Sequence, residues 1–156
     1  MKIAKQFFCA ICLTLLVCFS ALAQREKSSL LPASEARNVT NQCSRPSPEK
    51  FSDTWQPSEA ELREMESRFS QIKKLRVKKC CIQGAQIKNP EEFYMQYVGI
   101  IIDGKKLIYI NAFSESNPDE VWKKSAVNIC DGGNAWGVLY NPETKKFYDL
   151  AINGIG

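Results

Sequence analysis

The sequence predicts an α+β domain, one N-terminal helix packed on a four- to five-stranded antiparallel sheet. Three observations carry this reading. A capped stretch has apolar residues at spacings of three and four. Two long β-rich runs flank an Asp-Gly pair. A second β-rich pair lies near the chain end.

The helix is expected from about Pro57 to Arg76. Ser58 and Glu61 form a capping box, in which hydroxyl and carboxylate each satisfy a free amide at the helix start. Leu62, Met65, Phe69, Ile72 and Leu75 make one apolar stripe, which reads as core. Glu59 with Arg63, and Glu64 with Arg68, are i,i+4 pairs on the wet side.

Phe93 to Ile102 and Lys105 to Phe113 form the predicted hairpin. Asp103-Gly104 suits a type I′ turn, which needs positive φ at both positions. That turn pairs Ile100 with Leu107, Val98 with Tyr109 and Tyr94 with Phe113 on one face. It pairs Gly99 with Ile108, Tyr97 with Ile110 and Met95 with Ala112 on the other. Both faces are apolar, and one helix covers only one of them. The second must meet the amino-terminal arm, a second copy or an external partner.

After a polar connection, in which Val121 and Trp122 plug a core edge, a further strand is expected over Ser125 to Cys130. It breaks at Asp131-Gly132-Gly133-Asn134 and resumes over Ala135 to Tyr140. Asn141-Pro142-Glu143-Thr144 is a turn, and Lys145 to Asn153 the last strand. The Gly-rich loop lacks the Lys-Ser/Thr of a phosphate loop and the spaced oxygens of an EF-hand, so a bulge or tight turn is the plainer reading.

The first 23 residues read as an export leader. Lys2 and Lys5 precede an apolar run ending in Ala21-Leu22-Ala23, a cleavage site for signal peptidase. Cleavage after Ala23 leaves 133 of the 156 residues, with 33 of them (24–56) forming a polar, partly irregular arm and 57–156 a single domain. The expected location is the periplasm or the medium, with no transmembrane segment in the mature form. Asn38-Val39-Thr40 is a glycosylation sequon that matters only in a eukaryotic source.

The chain has no histidine. It therefore has no Ser-His-Asp or Cys-His catalytic pair and no His-ligated zinc or haem. No cofactor and no metal is expected. Without Lys2 and Lys5, 19 basic residues face 17 acidic ones, which gives no electrostatic case for nucleic acid. The local run Lys73-Lys74-Leu75-Arg76-Val77-Lys78-Lys79 reads as a solvated helix end or, more sharply, as a docking patch for an anionic surface. Cys43, Cys80, Cys81 and Cys130 remain after cleavage and are expected in disulfides. Adjacent cysteines rarely bond, so Cys80 or Cys81 is expected to reach Cys130 and the other Cys43.

Candidate contact residues are Tyr94, Tyr109 and Phe113 on the hairpin, Asp131, Gly132, Gly133 and Asn134 in the loop, and Trp136 beside it. The plainer reading of Trp136 is a core residue near a disulfide. No catalytic residue stands out. Asp131 with a second acid such as Asp149 is the one candidate carboxylate pair.

The segments WQPSEAELREMESRF, YVGIIIDGKKLIYINAF and VNICDGGNAWGVLYNPETKKFYDLAINGIG together resemble a group of small exported bacterial proteins of unknown function, over residues 55–156. The resemblance implies a bacterial source and carries no activity. The layout is similar to that of cystatins, a likeness of shape that fixes no function. The expectation is a non-enzymatic binding module of the bacterial envelope, an inhibitor or immunity-type protein whose partner is another exported protein. The alternatives are a small hydrolase using Asp131, and a structural envelope protein that forms a homodimer through the spare sheet face.

Overall fold

A computed structural model of the chain describes residues 27–48, 50–79, 81–114, 120–130, 132 and 135–154. The expected leader, Cys80, Asp131, Gly133 and Asn134 lie outside the described residues. The hairpin forms as the turn chemistry requires: β3 (Tyr94–Ile102) and β4 (Lys105–Phe113) meet at Asp103 and Gly104, with φ of 49° and 74°. All six expected cross-strand pairs are present, from Ile100 with Leu107 to Met95 with Ala112. β5 (Ala135–Asn141) and β6 (Lys146–Ile152) extend the sheet antiparallel on the β4 side.

The sheet has six strands rather than four or five, and it is not purely antiparallel. The two extra strands come from the segment expected as an arm. β1 (Ser28–Leu30) pairs parallel to Met95–Tyr97, and β2 (Asp53–Trp55) pairs antiparallel to Gly99–Ile101. Both use the same edge of β3, one after the other, and so protect a long apolar strand from edge pairing. Between them lies a short helix, α1 (Ala36–Thr40). The expectation of a single helix is also corrected. α2 runs only from Glu59 to Glu66 and is followed by a 3-10 helix over Phe69–Lys74. The capping box of Ser58 and Glu61 is present. The Ser67 hydroxyl donates to the Glu64 carbonyl at 2.7 Å, a back-bond that favours ending the helix there. Beyond the break, Phe69 and Ile72 are three residues apart, which stacks them on one face of the 3-10 helix, and Leu75 follows as its extended C-cap.

Each sheet face has its own core. Leu62, Met65, Phe69 and Ile72 pack on Met95, Tyr97, Ile108, Ile110, Trp136 and Val138. On the opposite face, Leu31, Ala36 and Val39 cover Val98, Ile100, Leu107, Tyr109 and Leu139. Trp122 packs with Phe113 and Ala135 beside them, while its neighbour Val121 is exposed. The face expected to be spare is therefore covered by the chain's own arm and by residues 122–129.

The strand expected over Ser125 to Cys130 does not form. That segment is held by buried side-chain amides instead of a ladder. Gln96 Nε2 donates to the carbonyls of Trp122 and Ser125. Asn111 Nδ2 donates to that of Val127 at 3.0 Å, and Asn153 Nδ2 to that of Ile129 at 2.6 Å. The segment is pinned to the arm by a disulfide between Cys43 and Cys130, with Cα atoms 4.9 Å apart. This pairing overturns the expected one, because the arm turns back across the sheet and brings Cys43 to the end of the 122–129 segment. Cys81 is also disulfide-bonded. Among the described residues no helix is long and apolar enough to cross a membrane.

Candidate functional site

A cleft of about 430 Å³ lies against β6. Its shape begins with an irregularity in the last strand. Gly137 pairs with Ala151 and Leu139 with Tyr148, so β6 carries one residue more than β5 over this stretch. Asp149 sits at this bulge with φ of 53°. The extra residue lets Phe147, Leu150 and Ile152 all enter the α2-side core despite their uneven spacing. It leaves Tyr148 and Asp149 exposed at the cleft.

The floor is made by Tyr109, Gly137 and Leu139, one wall by Pro46–Pro48 of the arm and another by residues 74–79. That last segment brings Lys74, Arg76, Lys78 and Lys79 to the cleft, all exposed. Asp149 is the one carboxylate among the described lining residues. The basic run begins as a solvated helix end, with Lys73 and Lys74 in the last turn of the 3-10 helix, and then runs past it. The 3-10 helix stops at Lys74, and the chain continues extended, with Val77 buried and the cations on either side of it solvated. Arg76 donates to the Gly84 carbonyl at 3.0 Å, which steadies its position. Lys73 is turned to Glu91, 2.8 Å away, and is not among the lining residues.

Behind the floor lies Arg45, only 5% exposed. Its Nε and Nη2 donate to the Tyr109 hydroxyl at 3.3 and 3.1 Å, its Nη1 to Asn153 Oδ1 at 2.8 Å, and its Nη2 also to Asn111 Oδ1. Every one of these acceptors is neutral. Gly137 makes room for this arrangement: a Cβ there would stand 2.3 Å from the Tyr109 hydroxyl and 3.0 Å from Arg45 Nε.

The described ones among the predicted contact residues do not come together. Trp136 and Phe113 are fully buried, on opposite faces of the sheet. Trp136 meets Phe93 edge-on, and its Nε1 has no hydrogen-bond partner among the described residues. Tyr94 is half-buried, stacked on Phe113 with Lys27 over its ring. Of the predicted contact residues that are described, Tyr109 reaches the cleft. Of the Gly-rich loop only Gly132 is described, with φ of 87° and its N–H on the Gly154 carbonyl at 3.2 Å. Among the described residues no three His, Cys, Asp or Glu side chains cluster as a metal site. The basic run and Asp149 were visible in the sequence. Arg45, Gly137, Leu139 and Tyr148 were not, and only the Arg-Pro step that forces an extended backbone at Arg45 hinted at a fixed geometry there.

Comparison with known protein families, with characterised proteins and with solved structures returned no match to this chain.

Proposed function

We propose that this protein is an exported, non-enzymatic binding module, of inhibitor or immunity type, whose cleft receives an acidic segment of another exported protein. The observation that carries the reading is the cleft's charge: among its described lining residues Lys74, Arg76, Lys78 and Lys79 stand against the carboxylate of Asp149, around a floor of Tyr109 and Leu139. Clustered cations at a concave, partly apolar site raise the local concentration of anions and speed their capture. The Cys43–Cys130 disulfide suits a protein that works outside the reducing cytosol. Export with the leader removed after Ala23 belongs to the same proposal.

The cleft replaces the aromatic surface expected on the hairpin, because Tyr109, Phe113 and Trp136 are buried. It also bears on the alternatives. Hydrolysis by a carboxylate pair rests on Asp131, which lies outside the described residues. Dimerisation through a spare sheet face lacks that face, since both are covered by the chain itself.

The test is fluorescence anisotropy of a labelled, C-terminally amidated hexaglutamate peptide titrated with the mature oxidised protein. Saturable binding that weakens with salt, and falls at least tenfold in a Lys74→Glu/Lys78→Glu variant, is expected. Equal binding by wild type and variant would remove the cleft from the account.

A further inference from the structure

We propose that the cleft floor is a subsite for a single carboxylate group, with the Tyr109 hydroxyl as its donor and the buried Arg45 as the charge behind that donor. The inference rests on the reading of the cleft as a binding site, and adds which chemical group the floor takes.

Arg45 is a cation almost wholly removed from water. A guanidinium in such a place ordinarily faces a carboxylate, because desolvating an unpaired charge is costly. Among the described residues no carboxylate lies within ion-pair distance of it; its partners are a phenol and two amide oxygens. All three of its nitrogens donate, but no described residue neutralises its charge.

The phenol oxygen has two lone pairs, and two N–H groups of the guanidinium point at it. Its own proton must then be donated elsewhere. No acceptor for it exists among the described residues, and the side chain lines the cleft. Gly137 lines the cleft against the hydroxyl: a Cβ there would stand 2.3 Å from it, so the missing side chain is what leaves the buried hydroxyl its place at the floor. A hydroxyl that accepts from a cation is polarised toward stronger donation, and the surrounding low dielectric enhances this. The subsite is therefore preorganised: a fixed donor, a fixed positive charge behind it, and no anion to displace among the described residues.

The donor count identifies the ligand. The floor offers one side-chain O–H, that of Tyr109, beside the apolar Leu139. One oxygen of a carboxylate takes that bond while the other is left to a rim cation. A phosphate, with three acceptor oxygens and a larger charge, would leave oxygens against apolar walls. Asp149 at the rim opposes any anion, and its exposed position lets water screen that repulsion.

The experiment uses the mature oxidised protein and the hexaglutamate peptide, with a C-terminally amidated form, a free-acid form and a free-acid hexaglutamine to separate side-chain from terminal carboxylates. Inorganic phosphate serves as competitor. Tyr109→Phe, checked for folding by its melting curve, is expected to weaken binding about tenfold while keeping the wild-type salt dependence, because the rim is intact. Unchanged affinity in Tyr109→Phe, with affinity still lost in Lys74→Glu/Lys78→Glu, would overturn the floor subsite and leave the cleft standing. If neither substitution matters, both fail. Phosphate displacing the peptide at equal concentration would overturn the choice of carboxylate. Should Tyr109→Phe not fold, wild-type protein labelled with ¹³C at tyrosine Cζ decides: the Tyr109 resonance shifts on saturation with the peptide, and an unmoved resonance overturns the proposal.

Discussion

Tyr109 and Gly137 define the cleft floor together: a Cβ at Gly137 would stand 2.3 Å from the Tyr109 hydroxyl and 2.9 Å from its Cζ. The strand can bring these residues so close only because one of them has no side chain. Gly137→Ala is expected to destabilise the protein by about 1–3 kcal/mol, the usual cost of overpacking a fixed site. In a Tyr109→Phe background the same substitution should cost less, since the nearest atom is gone. Urea unfolding of the four proteins in a double-mutant cycle measures the difference.

The disulfide between Cys43 and Cys130 closes a sequence separation of 87 residues and ties the arm to the segment that covers one sheet face. Cys43→Ser/Cys130→Ser should lower unfolding free energy by about 2–4 kcal/mol. Hydrogen exchange should locate the loss: amides of Ala36–Thr40 and of the 122–129 segment lose protection first, and those of α2 last.

Stability should also depend on pH through the α2 cap. Hydrogen bonds from the Ser58 hydroxyl, and then from its backbone N–H, hold the Glu61 carboxyl below its ordinary value of 4.5, with Lys106 adding a smaller pull and partial burial opposing them. A carboxyl whose native pKa is lowered stabilises the fold above its unfolded value and loses that contribution as pH falls through the native value. Chemical denaturation at pH 6 and below about 4 should therefore show a smaller pH effect in Glu61→Gln than in wild type. Ser58→Ala should cost about 1 kcal/mol at pH 6.

Asp149→Asn removes the one acid among the described lining residues of the cleft. Asn tolerates the φ of 53° found there, so thermal stability should hold. Affinity for hexaglutamate should rise roughly two- to fivefold at low salt, the scale of one exposed charge pair, and less at high salt.

What the sequence made legible was local. Asp103-Gly104 carries its own turn geometry, and the register of β3 on β4 follows from it. The Ser58–Glu61 cap is equally self-contained. The three-residue strands β1 and β2 are too short to show a period, and their partners lie more than forty residues away in the chain, so the arm gave no sign of joining the sheet. The pattern from Leu62 to Leu75 fits both helical spacings, so it does not show the break at Ser67 that ends the α-helix. The bulge at Asp149 disguised β6, whose inward residues Phe147, Leu150 and Ile152 do not alternate. Gln96 and Asn111 are the polar pair on an otherwise apolar hairpin face, and they mark where carbonyls of an irregular segment, rather than a helix, are received. The cleft was hidden for the same reason as the arm. Its walls come from 46–48, 74–79 and β6, which meet only in the folded chain, and nothing around Arg45 in a polar segment announces a buried cation.

The most direct test of the cleft as the recognition site is an amide chemical-shift titration of the uniformly ¹⁵N-labelled mature protein with hexaglutamate. The account predicts saturable shifts concentrated at Lys74–Lys79, Gly137–Leu139 and Tyr148–Ala151, with little change in the turn at Asp103. Shifts spread evenly over the surface lysines, or centred on another face of the sheet, would contradict it.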